Sequence, residues 1–262
     1  MTNDVVQATS GATLKVLDCR KAAAGRVFAH KVEVTSGTIC KGDEMSAVVD
    51  EAFRRRTRAN HTATHLLQAA LRKTLGDEVA QKGSIVREDG LRFDFSLPRP
   101  MSKDEVRTVE DDINRWCEVR PRDQHHERSP PPGPCCDLLR REGAEVQEAH
   151  VLHTTVMDLE EAKAAGAIAM FDEKYESAVR VVDVPGVSKE LCGGTHVSNT
   201  AEIGGFKVLS EGGIASGVRR IEAVAGPSLM PYVNAIDSVV QVRRSSRIAT
   251  AGVAAEQLQA RR

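Results

Sequence analysis

The sequence predicts an α+β chain, a small antiparallel β-barrel followed by a two-layer α/β unit that carries a zinc site. Three observations support this. Short β-rich runs separated by turn residues fill the chain from about Ala12 to Val49. A long stretch with helical spacing follows, and strand-like runs recur on either side of further helical segments. Two pairs of metal-capable side chains, His61 with His65 and Cys192 with His196, each sit four residues apart.

The first run of elements, LKVLDC, RVFAHKVEV and MSAVVD, is punctuated at Ser36-Gly37 and Lys41-Gly42-Asp43, the rhythm of a small sheet or barrel over 1–52. Asn60 then stands as a helix cap before HTATHLLQAALRKTL, whose Leu66, Leu67, Ala70, Leu71 and Leu75 recur at helical spacing up to a stop at Gly76. Two strand-like runs flank the turn Glu88-Asp89-Gly90. A second helix, KDEVRTVEDDINRW, is opened by Ser102 with acids in its first turn.

Between about Cys117 and His150 the segment RPRDQHHERSPPPGPCC is charged and proline-rich with no apolar period, which reads as a loop or disordered insertion. Its His125-His126 and Cys135-Cys136 match none of the standard structural zinc spacings. Order resumes with VLHTTVMDL, a helical EEAKAAGAIAMF and the strand VRVVDV. The turn ELCGGTHV and the strands GFKVLSE and GVRRIEAVAG complete a unit spanning 53–227, and a helical tail is expected over 228–262.

Composition narrows the function. At 262 residues with 41% hydrophobic and 28% charged side chains, the chain can hold a substantial core. Aromatics at 3% argue against base stacking as the main binding device, and a net charge of -1 leaves RNA attraction to local clusters such as Arg54, Arg55, Arg56 and Arg58. The N-terminus lacks the pattern of a signal peptide and no apolar run spans a bilayer, so an intracellular protein with no membrane partner is expected. Six cysteines show no disulfide framework, and Cys192, with a histidine nearby, reads as a metal or catalytic group.

His61 and His65 share one helix face and can chelate one ion. Thr62 stands where a HExxH metalloprotease has its general base, which removes that reading. Gly193-Gly194 imply a tight turn that brings Cys192 and His196 to a common point, and three nitrogens with one sulfur make a tetrahedral zinc set. HTATHLL, QKGSIV and RFDFS, with ELCGGTH and GVRRIEAVAG, resemble the editing domain of alanine–tRNA ligases and the free-standing proteins related to it, from about Arg54 to Gly226. The N-terminal β segment resembles the small barrel that precedes this domain.

That resemblance implies a deacylase that cleaves the ester joining serine or glycine to tRNA(Ala). A synthetic pocket sized for alanine cannot exclude glycine by size and rejects serine only weakly, so a second site must sort the products. It implies Zn2+ held by His61, His65, Cys192 and His196, catalytic roles for Thr64 and Gln81, and contacts to substrate or tRNA from Ser84, Arg219 and Arg220. The partners implied are the charged acceptor end of tRNA(Ala) and a ligase, or the missing remainder of one, in the cytoplasm or an organelle.

This chain departs from the family in the 117–150 insertion and in Asp172 and Glu176, where the family has glycines. No GxxxxGK[ST] loop or ATP-binding core is present, so aminoacylation is not expected. A non-catalytic zinc-stabilised tRNA-binding module is the alternative. A generic zinc hydrolase is disfavoured because neither ligand motif encloses a carboxylate base.

Overall fold

The computed structural model describes residues 5–8, 11–22, 27–118, 149–169 and 177–241. The bulk of the proline-rich insertion, with His125, His126, Cys135 and Cys136, lies outside the described residues, as do Asp172, Glu176 and the tail beyond 241.

The N-terminal strands β1 (Val5–Ala8), β2 (Thr13–Ala22), β3 (Val27–Ser36) and β4 (Met45–Val48) form an antiparallel sheet in the order β3-β2-β1-β4. The expected barrel is therefore corrected: among the described residues this sheet is open, with no pairing between β3 and β4. Its core is small. Val6, Leu14 and Val16 are buried and only Val32 and Ile39 pack against them, which falls short of the interior that strands wrapped into a closed barrel enclose.

Helix α1 (Glu51–Leu75) runs for 25 residues and begins nine residues before Asn60. Asp50 is the cap, its side chain accepting from the Phe53 N–H, so the expectation of a cap at Asn60 is also corrected. The arginine-rich first turns carry no apolar period to betray them. Asn60 is fully buried and cross-links layers instead: its amide nitrogen donates to the Arg87 carbonyl at 2.8 Å, and its amide oxygen accepts from the Ala225 N–H at 2.9 Å.

The hairpin β5 (Gln81–Val86) and β6 (Leu91–Ser96) joins β10 (Phe206–Ala215) and β11 (Val218–Ala225) in a second antiparallel sheet, order β10-β11-β6-β5. Strand β6 alternates, with Leu91, Phe93 and Phe95 turned into the main core beside Leu66, Leu67 and Leu71 of α1. Helix α2 (Lys103–Cys117) opens with the Ser102–Glu105 capping box and packs against α1 and β10. Two helices on one sheet make the expected two layers.

A third antiparallel sheet, β7 (His153–Asp158), β8 (Ala178–Val184) and β9 (Ser188–Leu191), lies in that order. The helix expected over EEAKAAGAIAMF is shorter than its composition suggests: α3 (Leu159–Ala164) stops at Gly166, whose φ of 79° is left-handed, and Ile168 then bridges to Glu190. Residues 229–241 are helical. Among the described residues no helix is long and apolar enough to cross a membrane.

Both flanks of the insertion are tied to one residue. The Thr200 hydroxyl donates to the Trp116 carbonyl at 2.5 Å and accepts from the His150 N–H at 2.8 Å.

Candidate metal centre

His61 and His65 project from the middle of α1, one turn apart, towards the segment that follows β9, where Cys192 and His196 lie. The four side chains offer ligand atoms that all fall within 4.8 Å of one another. The Cys192 sulfur stands 3.5 Å from His61 Nε2 and 3.3 Å from His196 Nε2. A zinc ion bound at the usual ~2.0–2.3 Å would set its tetrahedral ligands roughly 3.3–3.6 Å apart, so these spacings suit such an ion.

Two further observations favour a metal. His65 is 4% exposed and its Nε2 has no hydrogen-bond partner, although a buried unpaired nitrogen costs free energy. Gly194 supplies space: a Cβ there would stand 2.0 Å from His61 Cε1, so only glycine lets the loop approach the imidazole. Neither Gly193 nor Gly194 has a left-handed φ, so the expected tight turn does not demand glycine; Gly194 is required for this approach, while a Cβ on Gly193 would meet nothing within 4 Å.

The electrostatics prepare the donors. Burial raises the Cys192 thiol, but hydrogen bonds from His196 and His61 and the nearby His65 ring outweigh it and bring its pKa down to about 3, a thiolate at neutral pH. Burial lowers His196 to about 4, leaving a neutral ring. Burial also opposes charge on His65, but the Glu190 carboxylate prevails and holds it up at about 10, so that ring must lose a proton to solvent when it binds a metal.

Three residues that sequence reasoning did not single out as supports hold the donors in place. Glu190 in β9 is 1% exposed and accepts from His65 Nδ1. Thr62 Oγ1 accepts from the Val197 N–H at 3.2 Å and sits 3.2 Å from His196 Nδ1, which leaves Nε2 turned to the cluster. Arg180 in β8 donates through Nη1 to the carbonyls of Cys192 at 2.9 Å and Gly194 at 2.5 Å, clamping the loop. The one signal in the sequence for Glu190 was a carboxylate two residues before the candidate donor Cys192.

The other candidates are placed as follows. Thr64 is buried on α1 and its hydroxyl donates to the His61 carbonyl. Gln81 Nε2 donates to Ser84 Oγ at 3.0 Å, and Gln81 Oε1 is buried without a partner. Arg219 and Arg220 are each held by a carboxylate through two hydrogen bonds, Arg219 by Glu211 and Arg220 by Asp94. Arg220 pairs across the sheet with Asp94, out of phase with the core-facing Phe93, Phe95 and Ile221, so it lies on the sheet face turned away from α1.

Comparison with known proteins bears on the family of this chain. Residues 179–222, which include Cys192 and His196, match the model of the threonyl and alanyl tRNA synthetase second additional domain. The alanine–tRNA ligase of Thermosynechococcus vestitus is 46% identical over 234 residues, 89% of this chain and 23% of that protein. That of Synechococcus sp. (strain JA-3-3Ab) is 49% identical over 89% of this chain and 23% of its own length. The chloroplastic/mitochondrial alanine–tRNA ligase of Ostreococcus lucimarinus is 47% identical over 91% of this chain and 23% of its own length. The chain thus spans about a quarter of the length of the curated relatives it matches. It is a relative of the editing domain of the alanine–tRNA ligases.

Proposed function

We propose that the chain hydrolyses the ester of mischarged tRNA(Ala), releasing serine or glycine, with Zn2+ held by His61, His65, Cys192 and His196. The observation that carries this reading is the convergence of one thiolate and three imidazoles between α1 and the loop after β9. When bound, zinc would order the pocket that holds the aminoacyl group, and polarising the ester would need a fifth coordination position. With four protein ligands the coordination is closed, which favours holding over generating the nucleophile.

Water then attacks the ester carbonyl carbon, the bond to the ribose oxygen breaks, and that oxygen takes up a proton. Gln81 Oε1, a buried acceptor with no partner, suits the ammonium or hydroxyl of a bound serine. The Thr64 hydroxyl spends its hydrogen on the His61 carbonyl and keeps lone pairs for the same group. A site that hydrogen-bonds a hydroxyl can separate serine from alanine where an apolar pocket cannot. Ser84 orients Gln81 through their shared hydrogen bond. Of the two arginines, Arg219 is the better candidate to meet the terminal nucleotide, because Arg220 lies on the far face of the sheet.

The partner is the charged acceptor end of tRNA(Ala), in whichever compartment, cytoplasm or organelle, the cognate ligase works. No ATP-dependent charging is assigned to this chain. The test is deacylation of serine-charged against alanine-charged tRNA(Ala). Faster release of serine supports the reading. Tight binding of both with release of neither would replace it with a zinc-stabilised tRNA-binding module.

A further inference from the structure

Three neutral imidazoles and one thiolate leave a divalent ion with one unbalanced positive charge, in a pocket where His65 is 4% exposed. Buried charge is costly unless it is paired. The nearest fixed anion in direct contact with a ligand is Glu190, 1% exposed, whose Oε2 is bound to His65 Nδ1. Its other oxygen, Oε1, accepts from the Ser188 hydroxyl at 2.7 Å, so both ends of the carboxylate are held within β9 and its contact with α1.

We propose that Glu190 is the positioning residue of the metal centre, oriented by Ser188, and that it fixes His65 with Nε2 turned to the ion while supplying the second negative charge. The inference rests on the metal reading of the four donors. It adds a distinct claim: Ser188, Glu190 and His65 form a chain of contacts that sets affinity and ligand geometry from outside the donor set. An acceptor at Nδ1 places the hydrogen there and leaves the Nε2 lone pair for the metal. That fits the lack of any partner at His65 Nε2.

The arrangement also accounts for a charged residue that is fully buried at the inner end of β9. Leu191 beside it packs into an apolar cluster, and Ile168 bridges to Glu190 through backbone alone. A glutamate kept only for the sheet would gain nothing over an apolar residue at that point, whereas an anion beside a cation has a reason to be buried.

The test uses the full chain and Zn2+ itself, with affinity read by competition against a chromophoric chelator and ligand geometry read from the absorption spectrum of the Co2+-substituted protein. Glu190→Ala is expected to weaken zinc binding about 10–100-fold, the range for partners behind a ligating histidine. Glu190→Gln keeps an acceptor without the charge and is expected to fall between it and the parent. Ser188→Ala leaves the carboxylate in place and should give a smaller loss in the same direction. In Glu190→Ala the Cys192-to-cobalt charge-transfer band should persist while the ligand-field bands shift, a signature that general loosening of the fold would not give.

If Glu190→Ala does not fold, the same comparison is made with Glu190→Gln and Ser188→Ala. Zinc affinity within about twofold of the parent in these variants, or an unchanged cobalt spectrum, overturns the role of Glu190 and leaves the metal site standing. Failure of the parent chain to bind zinc overturns both.

Discussion

Gly194 and His61 stand so close that a methyl group on the glycine would lie 2.0 Å from the imidazole Cε1. The His61 side chain is only half-buried, but Asn60 and Thr62 on either side of it are fully buried, so the helix backbone itself cannot move aside. The loop that carries Cys192 and His196 therefore has one way to approach the helix, with glycine at the contact.

Gly194→Ala should push His61 out of the cluster without unfolding the chain, since the clash falls on one side chain and not on the main core. Zinc affinity is expected to drop by on the order of tenfold or more, and serine release with it. Metal stoichiometry and thermal unfolding of the metal-free protein check this together. Full zinc occupancy in the variant would mean that the ring is not a ligand in its present position.

Removing the metal should cost stability in proportion to how tightly it is held, because an ion that binds only the folded state stabilises it by mass action. A chelator is expected to lower the melting temperature of the parent chain and to leave Cys192→Ala unaffected. Cys192→Ala should also lose serine release. Full activity of that variant without zinc would end every zinc-dependent account of the reaction.

Much of this cluster was legible because its donors occur as two tight pairs, His61 with His65 and Cys192 with His196, whose residue types together could hold an ion. Hairpin β5–β6 and helix α2 were legible too, since Asp89-Gly90 and Ser102–Glu105 are local signals that do not depend on distant residues. What stayed hidden depends on contacts made across the fold. Asn60 has the look of a cap in the sequence, yet its amide joins α1 to Arg87 and Ala225, 27 and 165 residues away. Glu190 and Arg180 act on ligands through hydrogen bonds that no spacing encodes. The open edges of the N-terminal sheet could not be read either, because strand runs predict pairing but not closure.

The Arg220–Asp94 pair makes stability depend on pH on the acid side. Hydrogen bonds from Arg220 hold the Asp94 carboxyl below its usual value despite burial, so the unfolded chain binds a proton at a higher pH than the folded one. The pair's contribution is therefore full above the unfolded carboxylate value of about 4 and is lost as pH falls through the lower folded value. Asp94→Asn should lower stability by roughly 1–3 kcal/mol near pH 7, towards the smaller end because Arg220 remains partly solvated. Urea unfolding at descending pH should show the gap between parent and variant closing below about pH 4. A gap that stays constant with pH would exclude the ion pair as its source.

The insertion offers the last prediction. Its flanks meet at Thr200, whose hydroxyl binds the Trp116 carbonyl on one side and the His150 N–H on the other, at 2.5 and 2.8 Å. Chain that leaves and returns at one point can be shortened without moving either end, and loop closure changes by only about 0.6 kcal/mol per doubling of length. Replacing residues 119–148 by a short glycine–serine linker should thus leave the fold and zinc binding intact, with stability changed by no more than about 1–2 kcal/mol in the favourable direction. Thermal unfolding and zinc stoichiometry of the shortened chain decide the matter. A loss of several kcal/mol would show that the segment packs against the domain. Retained zinc with lost serine release would instead give it a part in holding the tRNA.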